Sequence, residues 1–363
     1  MPSGETIVSP VVHRVAALLV LVACARSGTP ELEAPPTALP ILFAQRSGTT
    51  ALLQAVSAPS ARVAWVSGHR GTYAITSDGG ASWRAAVVPD ADSLQFRDVY
   101  ALDERTAWLL AAGDGDRSRI YHTTNGGQSW TLQFRNTEPR GFFDCLDFWD
   151  ARRGVAFGDA VDGHFMILTT DDAGRTWSRV PDTALPAARS GEGAFAASGT
   201  CVITGPGGRA WISTGNAAPE SRVLHTSDYG RSWSIYLTPL PAGEASGAAS
   251  VAFRDTLHGV TMGGALGRPN ERGDRTAITT DGGRTWTLGG RPAMAGPVYG
   301  AAYLPRTPAL VAVGPGGMDW SRDDATSWSR LDTLAYWSVG FARTGRAGWA
   351  VGPSGRITRI TIE

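Results

Sequence analysis

The sequence predicts an all-β chain folded as a seven-bladed β-propeller of four-stranded antiparallel blades, its ring closed by an N-terminal strand. Three observations carry this expectation. Glycine and proline account for 45 and 22 of the 363 residues, which favours many short strands joined by turns over long helices. One eight-residue phrase recurs as TSDGGASW (76–83), TTNGGQSW (123–130), TDDAGRTW (170–177), TSDYGRSW (226–233), TTDGGRTW (279–286) and a worn copy, SRDDATSW (321–328). Its closing tryptophans fall at 83, 130, 177, 233, 286 and 328, a period that matches the roughly 40 to 50 residues of a four-stranded blade.

Taken in chain order, residues 1–23 have the layout of a secretion signal. His13 and Arg14 precede an apolar run, VAALLVLVA (15–23), and then Cys24. Nine apolar residues cannot cross a bilayer that needs about 20. The stretch LVAC (21–24) resembles a bacterial lipobox, which implies cleavage before Cys24 and lipidation of that cysteine. Residues 24–40 hold four prolines and no apolar periodicity, and read as a tether from a membrane the chain does not span. The propeller is expected over 41–363.

Each phrase follows an apolar run ending in glycine: RVAWVSG (62–68), RTAWLLAAG (105–113), RGVAFGD (153–159), RAWISTG (209–215), HGVTMGG (258–264) and ALVAVGPGG (309–317). Rich in β-branched and aromatic residues, these runs are expected as central strands, with the phrase as the turn joining a blade's third and fourth strands. A seventh run, AGWAVGPSGRITRITIE (347–363), ends without the phrase. The blade it begins lacks a fourth strand, and ILFAQ (41–45) can supply it, leaving no open edge in the ring.

The letters of the phrase suit a turn. Gly80, Gly127, Gly174, Gly230 and Gly283 offer positive φ, while Asp78, Asn125, Asp172, Asp228 and Asp281 offer short acceptors for backbone N–H groups of their own turn. Trp83, Trp130, Trp177, Trp233 and Trp286 then cover the turn with a large apolar surface. Side chains repeated around a ring cannot converge on one substrate, so the phrase is expected to be architecture.

This pattern resembles the Asp-box, or bacterial neuraminidase repeat. Sialidases carry it, yet their Arg-Ile-Pro motif is absent from this sequence and no tyrosine has an obvious acidic partner. Blades that read like GWAVGPSGRI followed by a Thr, Asp, Gly-Gly, Thr, Trp turn also resemble those of the photosystem II assembly and stability factor family. That resemblance implies an exported or lipid-tethered, non-enzymatic propeller that binds membrane photosynthetic subunits.

Formal net charge is zero, with 33 acidic residues against 33 basic ones, every basic one arginine. Bulk electrostatic binding of nucleic acid is therefore not expected. No cofactor fingerprint and no ligand cluster at metal spacing is present, so no cofactor and no metal are expected. His122 and His225 occupy one slot in two repeats and read as packing residues. Asp144 and Asp147 stand three apart on an expected inner strand and so point to opposite faces, which argues against a catalytic pair. Cys145 and Cys201, expected on innermost strands of neighbouring blades, can pair if their Cα atoms lie within about 7 Å; the sequence leaves this open.

The long insertions are 111–119, 158–164, 213–221 and 263–274 within blades, and 181–193 and 238–247 between them. Blade geometry assigns all six to the face opposite the repeated turn, where function is expected. Charged candidates there are Arg140, Arg189, Glu192, Arg268, Glu271, Arg272 and Arg291. The reading is a monomeric scaffold, exported and lipid-anchored on the periplasmic side of a membrane. Its expected partner is a membrane protein complex, which the family resemblance implies to be a photosynthetic reaction centre; the alternative is a glycan-acting hydrolase. Ala25 after Cys24 leans to the outer membrane, whereas a photosynthetic partner requires the inner one.

Overall fold

A computed structural model describes residues 1–4 and 32–363 of the chain. Cys24, the apolar run before it and the first part of the tether lie outside the described residues. From Leu32 onward the chain forms one unit of seven four-stranded antiparallel sheets. Six blades run in sequence order over 53–87, 96–135, 143–179, 202–237, 246–288 and 300–332. In the seventh, the strands Ser338–Phe341, Ala347–Val351 and Arg356–Thr361 are completed by Ile41–Arg46. The register runs from Ile41 opposite Thr361 to Arg46 opposite Arg356, so the two ends of the chain close the ring as expected. Part of the expected tether is not free, because Glu33 ion-pairs with Arg306 and Arg346.

The apolar runs ending in glycine are the second strands. Ala64–Gly68, Ala107–Ala111, Leu310–Gly314 and Ala347–Val351 are buried at every position, because both of their faces pack against neighbouring blades. Their tryptophans reach into the next blade. Trp108 Nε1 donates to the Ala173 carbonyl at 3.2 Å and Trp211 Nε1 to the Gly282 carbonyl at 2.8 Å, each in the following repeated turn. His122 and His225 lie directly opposite Trp108 and Trp211 in the sheet and pack on those rings.

In each of six blades the phrase joins the third strand to the fourth. In TTDGGRTW, Thr279 Oγ1 donates to Asp281 Oδ1 at 2.9 Å and accepts the Gly283 N–H at 3.0 Å. Asp281 also accepts the Thr285 N–H at 3.0 Å and its hydroxyl at 2.7 Å. The glycine sits at φ +87°, where a Cβ is disfavoured. The worn copy keeps the network through Ser321, Asp323 and Ser327, with Ala325 in the glycine's place at φ +64°. The fourth strands add a second device: Gln133 takes Trp108 Nε1 at 3.1 Å, and Gln45 takes Trp83 Nε1 at 2.9 Å and Trp349 Nε1 at 3.2 Å. Ile41–Arg46 thus fills a fourth-strand position in chemistry as well as in pairing.

The innermost strands are tied across blade boundaries by carboxylate acceptors, Asp98 buried and Asp147 half-buried. Asp98 takes the N–H groups of Val99 and Leu146, both at 2.7 Å. Asp147 takes those of Phe148 at 2.8 Å and Thr204 at 2.7 Å. Between blades 3 and 4 the chain then enters the bore. Ser198 Oγ donates to the Tyr299 carbonyl at 2.6 Å, Ser338 Oγ donates to the Ser198 carbonyl at 2.7 Å, and Thr200 Oγ1 donates to Ser250 Oγ at 2.8 Å. Segment 194–200 is therefore a plug bonded to blades 5, 6 and 7. It ends at Cys201, which forms a disulfide with Cys145, the two Cα atoms 6.0 Å apart.

Candidate functional site

The plug divides the axis into two cavities. The one opening on the side of the repeated turns measures about 790 Å³ and holds Asp98 and Asp147. Both carboxylates are engaged by backbone N–H groups, so they serve the architecture. The other opens among the long loops, measures about 440 Å³ and is floored by Ala194–Ala197. We call these sides the turn face and the loop face.

A recurring irregularity builds the loop-face funnel. The innermost strand of blade 1 is bulged between Leu53 and Ala55, that of blade 2 between Phe96 and Asp98, and that of blade 3 between Phe143 and Cys145. A bulge leaves one residue unpaired and re-aims its side chain. The residues so freed are Gln54, Arg97 and Asp144, and all three line the funnel. Blade 5 carries the same bulge at Ala249, without a polar side chain.

Asp159, on the strand beside Asp144, completes the polar lining with His69. Its Oδ1 accepts the Ala194 N–H at 3.0 Å, which holds the plug. Asp144 and Asp159 stand side by side on paired strands of blade 3, Asp144 at the bulge beside the Phe143–Gly158 pair, close enough for each carboxyl to perturb the other's ionisation. Burial, then the neighbouring Asp159, raises Asp144 well above the usual carboxylate range; burial lifts Asp159 to about 6. Burial, followed by Arg97 and Arg70, lowers His69, which is therefore neutral near pH 7. Arg97 gives two hydrogen bonds to Gln95 Oε1, at 3.0 and 2.6 Å, and a longer one to the Ala196 carbonyl. Phe195, Tyr299 and Trp337 form an aromatic wall, the last two with ring centroids 4.9 Å apart.

Around this funnel the expected arginines are present on the loops, mostly engaged with the protein itself. Arg140 grips Asp162 with two bonds of 2.9 and 2.6 Å. Arg189 pairs with Glu220, Arg291 with Asp274 at 2.8 Å, and Arg272 donates to the Ala293 carbonyl. Arg268 is exposed. Glu192 is not a surface group: it is 1% exposed and receives Arg222 through two bonds and the Thr214 hydroxyl at 2.7 Å. The pair fastens the 181–193 link to blade 4.

Asp144 and Asp147 do face opposite ways, one into each cavity. What sequence reasoning missed is Asp159 as the partner of Asp144, along with Gln54 and Arg97. The signal was present in the first strands, LQAV (53–56), FRDV (96–99) and FDCL (143–146), whose second letters are the three bulged residues.

No family model matches this chain, and no curated protein matches it. Solved structures do. A structure described as YCF48 bound to D1 peptide superposes with a TM-score of 0.64 at 16% identity, over 91% of this chain and 100% of that one. YCF48 from Cyanidioschyzon merolae gives 0.61 at 16% identity, over 88% and 98%. The GH74 xyloglucanase from Xanthomonas campestris gives 0.58 at 14% identity, over 88% of this chain and 53% of that one. At these identities the likeness is one of fold: the chain is a seven-bladed propeller similar to the YCF48 structures.

Proposed function

We propose that this protein is a non-enzymatic scaffold that docks a membrane protein complex through its loop face and aids the assembly or stability of that complex. A photosynthetic reaction-centre or photosystem complex is the partner class. The carrying observation is the segregation of the molecule into two faces. Uniform turns occupy one; the long loops and the aromatic-walled funnel occupy the other. A propeller of similar fold has been solved with a D1 peptide bound, which supports the same use of this ring. Export and a lipid anchor at Cys24 belong to the proposal, and the Cys145–Cys201 disulfide suits an oxidising compartment.

The hydrolase alternative fits the site less well. Glycoside hydrolysis needs two carboxyl groups roughly 5 to 9.5 Å apart, flanking the scissile bond, whereas Asp144 and Asp159 sit side by side on paired strands and Asp159 Oδ1 is engaged by the Ala194 N–H. Affinity purification from detergent-solubilised membranes tests the proposal. The expected result is an integral membrane protein recovered in stoichiometric amount. Recovery of none, together with glycan hydrolysis that Asp144→Asn or Asp159→Asn abolishes, overturns it.

A further inference from the structure

We propose that the loop-face funnel is a socket for the protonated head of one lysine or arginine side chain of the docked partner, received by Asp144, Asp159 and Gln54. This rests on the docking reading above and names what the funnel would hold.

Three features of the funnel point to a cationic donor. Two of its buried polar atoms are acceptors that nothing in the protein fills. Gln54 Oε1 is buried without a hydrogen-bond partner, the residue being 3% exposed, and no protein N–H or O–H reaches Asp144 Oδ2. His69 Nε2 also lacks a partner, and its tautomer sets whether it accepts or donates. An unfilled buried acceptor costs roughly 1 to 3 kcal/mol, and two sharing one cavity mark a place where a donor belongs.

The charges are also unbalanced. Two carboxyl groups face one guanidinium, that of Arg97, already held by Gln95 and the Ala196 carbonyl. No second arginine lines the funnel, so burial and the neighbouring carboxylate keep a proton on the pair near neutral pH. An arriving ammonium or guanidinium can replace that proton, giving N–H donors to both carboxylates, while an anion would meet them with repulsion. Finally, about 440 Å³ leaves ample room for a long side chain, and the wall of Phe195, Tyr299 and Trp337 suits an aliphatic stem and a cation over aromatic faces.

Binding one cation should therefore release one proton. The groups that bear on this exchange are Arg97 beside Asp144, Asp114 beside Asp159, and Arg97 and Arg70 beside His69.

The test uses three short peptides, acetyl-Gly-Gly-X-Gly-Gly-amide, with X as lysine, arginine or uncharged norleucine. Each is titrated into the lipid-free mature protein while the funnel resonances are followed by NMR. The lysine and arginine peptides are expected to bind at least about tenfold more tightly than the norleucine peptide. Their affinity should fall several-fold between about pH 7.5 and 5 as the carboxyl pair, which already holds one proton, takes up a second, and calorimetry in two buffers should read proton release. Asp144→Asn should abolish the preference for a charged peptide. If that variant does not fold, Gln54→Leu and the pH profile of the unaltered protein carry the test.

Equal binding of norleucine overturns the proposal, as does full affinity in a folded Asp144→Asn protein. Binding of neutral sugars or acidic peptides in place of the basic ones does the same. The docking reading fails separately. Recovery of the membrane complex by a protein that ignores all three peptides sinks the socket alone, and recovery of no complex by the unaltered protein sinks the docking.

Discussion

Asp281 shows how much one side chain of the repeat contributes. It accepts hydrogen bonds from Thr279, Arg284 and Thr285. Burial opposes its ionisation, yet the bonds from Thr285, Thr279 and Arg284 together take it down to about 2. Asp281→Ala removes all of them and should cost about 1 to 2 kcal/mol, read as a lower midpoint in urea denaturation; an unchanged midpoint would contradict the role given to the turn. This chemistry is legible in the sequence because donors and acceptor lie within seven residues of each other. Gln54, Arg97 and Asp144 were not legible in the same way. Their aim depends on a bulge in cross-strand register, and Asp159 becomes a partner only once that bulge is formed.

Among the elements, Ile41–Arg46 was readable because blade seven lacked a strand and the chain offered one apolar stretch to supply it. The plug was not. Residues 194–200, AFAASGT, carry no strand or helix period, and their small side chains suit a crowded axis for reasons that appear only in three dimensions. Two links hold the segment. Replacing Cys145 and Cys201 together by serine opens a loop of 56 residues and should cost about 2 to 4 kcal/mol, measurable in urea without reductant. Glu192→Gln leaves the buried Arg222 without its counter-charge. A loss of about 3 kcal/mol is expected, with release of the 181–193 link seen as faster amide exchange at position 192 and at Ala194. Exchange unchanged at both positions would show that the pair does not fasten the link.

For the whole molecule, the repeated turns act together in acid. Asp78, Asp172, Asp228, Asp281 and Asp323 are all held below the usual carboxylate value, through hydrogen bonds within their own turns. A depressed folded-state value means the unfolded chain binds more protons. The turns' stabilisation is therefore present above about pH 4 and is lost as pH falls towards 2, so thermal midpoints should drop steeply across that window. A flat profile there would contradict the shared role of these aspartates. The two-faced disc was legible at this scale from loop lengths alone. The engagement of Arg140, Arg189, Arg272 and Arg291 with the protein's own acceptors was not, since those acceptors lie on other turns of the same loops or across neighbouring blades.

The central claim, that the loop face is the docking face, is tested most directly by site-specific photocrosslinking in membranes. A crosslinking residue is placed at exposed Arg268 on the loop face, and in a second protein at exposed Arg284 in a repeated turn. The account predicts a crosslink to an integral membrane protein from position 268 and none from position 284. Crosslinking from position 284 alone, or from neither position, would contradict it.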